Sequence, residues 1–299
     1  MKISIIDIGS KSIKHFVFDG HKQIYFSRDS TIRLGATMIS NNLDQERMGT
    51  AIAYVKKELK VDMDKSVGKT IICGTEALRR AGNSARFIEL LKKNTGYDLR
   101  IITHDDESSL FGKGLSRIAP GDFAAFAAGG GSFEAIILKG HEWHSVKFAF
   151  GTNKLYEFLR QDYEKKIYNN KESWDRLREF LKIEIDKAFA INEDLHVDIA
   201  FVSSVLTFIS AQKNIIKKDF ETSDIEEHPI FLYIDDYELA IQKLIDAGIE
   251  RLAANYPTDP HFADHSSIAQ TFYLMLAKKL DVKSIYPSEF QYAHGLVEP

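Results

Sequence analysis

The apolar run 3–6 reads as a short buried strand, and 12–18 as its hairpin partner across Asp7-Ile8-Gly9-Ser10-Lys11. Residues 23–34 continue as a third strand that stops at Gly35. The period then changes. Met48, Ile52, Val55 and Leu59 are spaced 4, 3 and 4 apart, which predicts one inward face of a helix. A β-like run follows at 70–73. A helix over 84–93 comes next, with Phe87, Leu90 and Leu91 inward and Gly96 as its stop. Residues 99–102 read as strand, and Asp105-Asp106-Glu107 suits a helix first turn, where acids complement the dipole.

After Pro120-Gly121 the pattern restarts: strand at 123–128, a Gly129-Gly130-Gly131-Ser132 turn, a returning strand at 133–138, a second turn, and strand at 143–150. Helices are expected over 153–162 and 171–191, a strand over 198–203, and a mainly helical remainder including 266–280. Strands followed by helices, twice over, predict an α/β architecture. ISIIDIGSKSIKHFVF and AAFAAGGGSFEAIIL are both strand, small-residue turn, strand, with turns 120 positions apart. That period is too long for a solenoid and suits two domains of common topology, 1–119 and 120–299, with 288–299 returning to the first.

Composition narrows the function classes. The 299 residues carry a net charge of −4 and one cysteine. No global basic field points to a nucleic acid partner, and no run reaches the roughly 18 apolar residues of a membrane span. The start lacks a signal-like apolar core before Asp7, and Cys73 can form no intramolecular disulfide, so a cytoplasmic setting is expected. Cys73, in an apolar run, is expected to be a buried structural thiol.

Glycines at both hairpin tips let backbone N–H groups approach an anion in conformations a Cβ would forbid, and Ser10, Ser12 and Ser132 add hydroxyl donors. Either turn alone is most simply a turn. Two such hairpins on α/β frames are expected to act as a phosphate clamp.

These residues resemble the exopolyphosphatase/guanosine pentaphosphate phosphatase family. DIGSKS at 7–12 is similar to its first phosphate loop, and Arg33-Leu34-Gly35 to its R-L-G. The stretch 74–79 with 81–83 is similar to its T-x-x-x-R-x-A-x-N. DDESSL at 105–110 resembles its acidic helix start, with Gly114 following. GGGSFE at 129–134 resembles the second loop, and Ser288-Glu289 with Gly295-Leu296 its ending.

The resemblance implies two actin-like (ribonuclease H-like) domains with a ligand cleft between them. It also implies a metal-dependent phosphohydrolase acting on inorganic polyphosphate or guanosine pentaphosphate. Carried over residue by residue, Glu107 is the base that activates water. Gly9, Ser10, Lys11, Ser12, Arg79, Gly129, Gly130, Gly131 and Ser132 bind phosphate, and Asp7 and Glu134 hold Mg²⁺ or Mn²⁺. The expected partner is a polyphosphate or a phosphorylated guanine nucleotide, with neither nucleic acid nor membrane. A homodimer is compatible with this reading, although no residue pattern signals an assembly state.

The chain departs from the family pattern at four places. Ala127 stands where aspartate precedes the second loop, and Lys11 where asparagine is usual. Ser203 and Ser204, within 201–208, replace glycines of an adenosine-type segment, and Thr103-His104 replaces a usual Ser-Gly. The alternatives are therefore an active hydrolase, a member that binds polyanions without turnover, and a kinase of the same superfamily. The helical spacing of His261 and His265 lacks the intervening glutamate of a zinc motif and points to surface or capping roles.

Overall fold

The computed structural model describes residues 1–10, 12–35, 38, 41–129, 132–160, 171–190, 195–203, 205, 220–247 and 261–297. The chain divides into two compact units, residues 1–115 with 291–299, and residues 116–290.

Unit 1 contains β1 (Lys2–Ile8), β2 (Ile13–Asp19), β3 (Lys22–Asp29), β4 (Lys69–Gly74) and β5 (Leu99–Ile101). Its helices are α1 (Gln45–Asp64), α2 (Glu76–Arg80), α3 (Ser84–Thr95), α4 (His104–Leu115) and α9 (Tyr292–Leu296). Among the described residues its sheet runs β3-β2-β1-β4-β5, antiparallel across the β1-β2-β3 meander and parallel from β1 to β4 to β5. Ile6, Ile8 and Ile13 on one face pack with Met48, Val55, Phe87 and Leu91 of α1 and α3. The other face packs Ile5, Phe16 and Phe18 with Ala293 and Val297 of the returning segment.

Unit 2 contains β6 (Phe123–Ala128), β7 (Phe133–Lys139), β8 (Glu142–Phe148), β9 (Ile199–Ser203), β10 (Glu221–Thr222), β11 (Ile230–Tyr233) and β12 (Ser284–Ser288). Its helices are α5 (Thr152–Arg160), α6 (Lys171–Ala188), α7 (Ile234–Ala247) and α8 (His261–Lys279). The described sheet order is β10-β11-β12-β9-β6-β7-β8. Its β8-β7-β6-β9-β12 portion repeats the order and pairing directions of unit 1, two antiparallel pairs followed by two parallel ones. The internal repeat of the sequence is thus a repeat of topology. Aromatic packing dominates this core: Phe133 and Phe148 lie 4.3 and 4.9 Å from the Phe272 ring of α8.

Local chemistry fixes the element ends. The Asp44 side chain caps α1 by accepting from the Arg47 N–H at 2.9 Å. Gly96, at φ +80°, closes α3 in the left-handed region. Gly140 and His141, at φ +55° and +72°, make the tight β7–β8 turn.

Two expectations need correction. The third strand stops at Asp29, not near residue 34, because the Asp29 carboxylate accepts from both the backbone N–H and the hydroxyl of Thr31 and turns the chain. Ile32 and Leu34 still enter the core, which explains their apolar signal. The region after residue 203, read as mainly helical, also supplies β10, β11 and β12.

Candidate functional site

The first loop follows from the register of β1 and β2. Ile8 pairs with Ile13, leaving residues 9–12 as the connection, closed by the Gly9 N–H donating to the Ser12 carbonyl at 3.0 Å. The Gly35 N–H donates to the Ser10 carbonyl at 2.9 Å, and a Cβ on Gly35 would run into the Ser10 side chain. Glycine is therefore required there for close approach. Ser12 is buried and Ser10 half-buried. Lys11 lies outside the described residues.

Asp7, one residue before that loop's flank, is buried at the end of β1. Its Oδ1 accepts from the Tyr292 hydroxyl at 2.8 Å, and its Oδ2 lies 3.8 Å from Lys14 Nζ, directly across the hairpin. Lys14 also donates to Gln291 Oε1 at 2.5 Å. Burial pushes the Asp7 carboxyl above its ordinary pKa of 3.8, while Lys14, Tyr292 and Arg79 pull it back. Cys73, which faces Asp7 in the β1–β4 register, is a buried thiol pushed up to about 12, chiefly by burial.

Arg79 and Glu107 meet from separate helices. The Thr75 N–H donates to the Ile8 carbonyl at 3.3 Å, which seats the start of α2 beside the first loop. From α2, Arg79 Nη1 donates to the Ile102 carbonyl at 2.7 Å and to Glu107 Oε2 at 2.9 Å. Arg79 Nη2 donates to His104 Nδ1 at 3.3 Å. The Arg79 side chain is 15% exposed and that of Glu107 34%. Arg79 Nε is buried and has no hydrogen-bond partner among the described residues.

The residues Asp7, Gly9, Ser10, Ser12, Arg79 and Glu107 thus belong to one end of the unit 1 sheet. Sequence reasoning missed Tyr292, Gln291 and Lys14. Tyr292 is 285 positions from Asp7 and carries no local signal. Lys14 was readable, since a four-residue loop forces its pairing with Asp7.

The last segment is held to α4 by glycine. A Cβ on Gly295 would strike the Leu110 carbonyl, and one on Gly114 would lie 3.1 Å from His294 Cβ. The backbones of α9 and α4 therefore touch, which seats Tyr292 against the strand that carries Asp7.

In unit 2 the second loop repeats the first. Ala128 pairs with Phe133, and the Gly129 N–H donates to the Ser132 carbonyl at 2.8 Å. The Thr152 N–H and hydroxyl both point to the Gly129 carbonyl, at 3.0 and 3.3 Å. Gly130 and Gly131 lie outside the described residues. Glu134 pairs across the hairpin with Ala127; its Oε1 accepts from Ser145 Oγ at 3.1 Å and lies 4.0 Å from Lys147 Nζ. Ser203 bonds the Tyr273 hydroxyl at 3.0 Å, and Phe201 is fully buried among Phe123 and Tyr286. Ser204 and 206–208 lie outside the described residues.

No cluster of three or more His, Cys, Asp or Glu suited to a metal occurs among the described residues. A hard cation such as Mg²⁺ needs only one or two carboxylates beside phosphate oxygens and waters. Within unit 1 the Asp7 carboxylate, and within unit 2 the Glu134 carboxylate, are each oxygen donors of that chemistry, and neither unit forms a ready-made cage among its described residues. No described helix is long and apolar enough to cross a membrane.

Paired α/β units of this topology define an actin-like fold. A model of the Ppx/GppA phosphatase family matches residues 16–229, and the chain belongs to that family. The fold is shared with the Aquifex aeolicus Ppx/GppA family member (TM-score 0.79, 20% identity, 99% of this chain and 96% of that one). It is also shared with an exopolyphosphatase from Cytophaga hutchinsonii (TM-score 0.78, 18% identity, 99% and 96%). In sequence the chain is similar to Exopolyphosphatase 1 of Mycobacterium leprae, 27% identical over 147 residues, 45% of this chain. That match spans 42% of the relative's length.

Proposed function

We propose that the chain is a phosphohydrolase that removes the terminal phosphoryl group of inorganic polyphosphate or of guanosine pentaphosphate. The observation that carries this reading is the Arg79–Glu107 pair at 2.9 Å beside the first glycine–serine loop. A guanidinium that binds phosphate and a carboxylate that takes a proton from water must be neighbours for in-line attack. Water would give its proton to Glu107 as its oxygen bonds phosphorus, and the bridging P–O bond would break toward the rest of the chain. Arg79 would neutralise charge on the equatorial oxygens. The loop N–H groups and Ser10 would orient the phosphoryl group, with Lys11 and the loop of Gly129, Gly130, Gly131 and Ser132 as further phosphate contacts. A Mg²⁺ or Mn²⁺ ion held by Asp7 would add charge neutralisation, and Glu134 offers the same carboxylate chemistry within unit 2.

One observation favours a second reading, binding without turnover. Ala127 supplies no oxygen donor opposite Glu134, and Glu134 is already engaged by Ser145 and Lys147. The discriminating assay is phosphate release from long-chain polyphosphate and guanosine pentaphosphate with Mg²⁺, by the wild type and Ala127→Asp. Turnover by the wild type supports the hydrolase. A silent wild type rescued by aspartate supports the binding protein, and silence of both defeats the hydrolase reading.

A further inference from the structure

The Arg79 guanidinium is used unevenly. Nη1 is committed to the Ile102 carbonyl and to Glu107. Of the opposite edge, formed by Nε and Nη2, Nε is buried and has no partner among the described residues, while Nη2 donates to His104 Nδ1 at 3.3 Å. A buried N–H without an acceptor is costly, and this edge is the bidentate fork that matches two oxygens of one phosphoryl group.

An arginine can only donate, so His104 Nδ1 is an acceptor in this structure and its ring is neutral on that side. An oxyanion seated on the Nε/Nη2 edge meets that same lone pair. The contact is repulsive unless Nδ1 carries a proton, which a shift of the ring's single proton or a net uptake could each supply. The acids of the first turn and the incoming anion favour net uptake, and the imidazolium then donates to the phosphoryl oxygen. We infer that His104 is a specificity-determining residue of this site: it holds the Arg79 fork when the site is empty, and takes up a proton to bind the terminal phosphoryl group together with Arg79. The inference rests on the proposed phosphate chemistry and deepens it.

The placement fits the task. His104 is exposed at the start of α4, so its imidazole can turn without unpacking the core. Arg79 from α2 contacts it, and Asp105, Asp106 and Glu107 follow it in the first turn of α4. Arg100 of β5 is paired to Asp106 at 3.6 Å. An anion on Arg79 adds negative charge to this set and favours the imidazolium. The position is occupied by glycine in the family pattern that the sequence otherwise resembles, so the device belongs to this chain.

The test is calorimetric binding of inorganic tripolyphosphate, and separately of guanosine pentaphosphate, to the full chain in buffers of different ionisation enthalpy. Wild type, His104→Gln and Arg79→Ala are compared, with circular dichroism as a check on folding. The wild type is expected to take up protons on binding that His104→Gln does not. His104→Gln should weaken binding by about five- to tenfold at pH 6.5, the loss of one charge-assisted hydrogen bond at an exposed position. Whichever anion shows the His104-dependent uptake is the source of the phosphoryl group that the pair reads. Binding by the wild type with the same proton uptake and affinity in His104→Gln overturns the inference and leaves the phosphate site standing. Absence of binding by every variant overturns both.

Discussion

Replacing His15 with alanine should destabilise unit 1 severely. His15 is 0% exposed in the middle of β2, and α1 presents Glu58 and Asp62 to it, 1% and 5% exposed. Nδ1 lies 2.7 Å from Glu58 Oε2 and Nε2 2.8 Å from Asp62 Oδ1, with Ser4 Oγ 2.9 Å from Nε2. Both ring nitrogens face carboxyl groups, so the ring bridges Glu58 and Asp62 in a buried hydrogen-bond network. Ser27 and Thr70 complete the network, donating to Glu58 at 2.8 Å and to Asp62 at 2.9 Å. Removing the ring leaves two buried carboxyl groups without their shared partner, a change that costs about 3–5 kcal/mol.

Fluorescence is the wrong probe, because both tryptophans, Trp143 and Trp174, lie in unit 2. Native-state hydrogen exchange of β2 and α1 reports unit 1 directly, and the expected rise in exchange rate is roughly a hundred- to several-thousandfold. Replacing all three groups, His15→Leu with Glu58→Met and Asp62→Met, removes the whole bridge. It should recover most of the loss, less the Ser4 and Thr70 hydroxyls left without these partners. A cost below about 1 kcal/mol for His15→Ala, or a triple variant worse than the single one, refutes the buried network.

Further outcomes follow from the same geometry. Gly295→Ala puts a methyl into the Leu110 carbonyl, so it should cost about 1–3 kcal/mol or more and loosen α9; unchanged protection of 292–296 in hydrogen exchange contradicts the packing. Asp7 has a folded-state pKa raised above 3.8. Its contribution to stability is therefore complete below the unfolded value and is lost as pH rises through the folded one. As pH rises above the ordinary carboxyl value of 3.8, the wild type should lose stability relative to Asp7→Asn, and a parallel or opposite trend in urea midpoints counts against the assignment. Ala127→Asp should raise, and not lower, any Mg²⁺-stimulated phosphate release, because it adds an oxygen donor opposite Glu134.

The α/β class and the two-fold repeat were legible because hairpins and amphipathic helices write their periods locally. Strand β6 was readable to the residue, α3 to within two residues of its ends, and α1 by the face from Met48 to Leu59 without its last turn. What was not legible depends on distant partners. Position 59 of α1 looked inward by its leucine, yet Leu59 is half-buried while Glu58 is fully buried, since α1 turns its acids toward His15. No helical periodicity anticipates a buried glutamate. Strands β11 and β12 were missed because they are short and separated by α7 and α8. In the candidate site, Gly9 drew attention as part of a small-residue turn, whereas Arg79 and Glu107 were singled out only by the family resemblance. Tyr292, which donates to Asp7, arrives from the far end of the chain and is visible only in the fold.

The central claim, that Glu107 takes the proton from water beside an Arg79-bound phosphoryl group, is tested most directly by Glu107→Gln. Phosphate release and tripolyphosphate affinity are measured on the same samples as the wild type. The account predicts release reduced by at least about 10²-fold with binding kept within a few fold, the signature of a lost general base. Wild-type release that survives the substitution unchanged contradicts it.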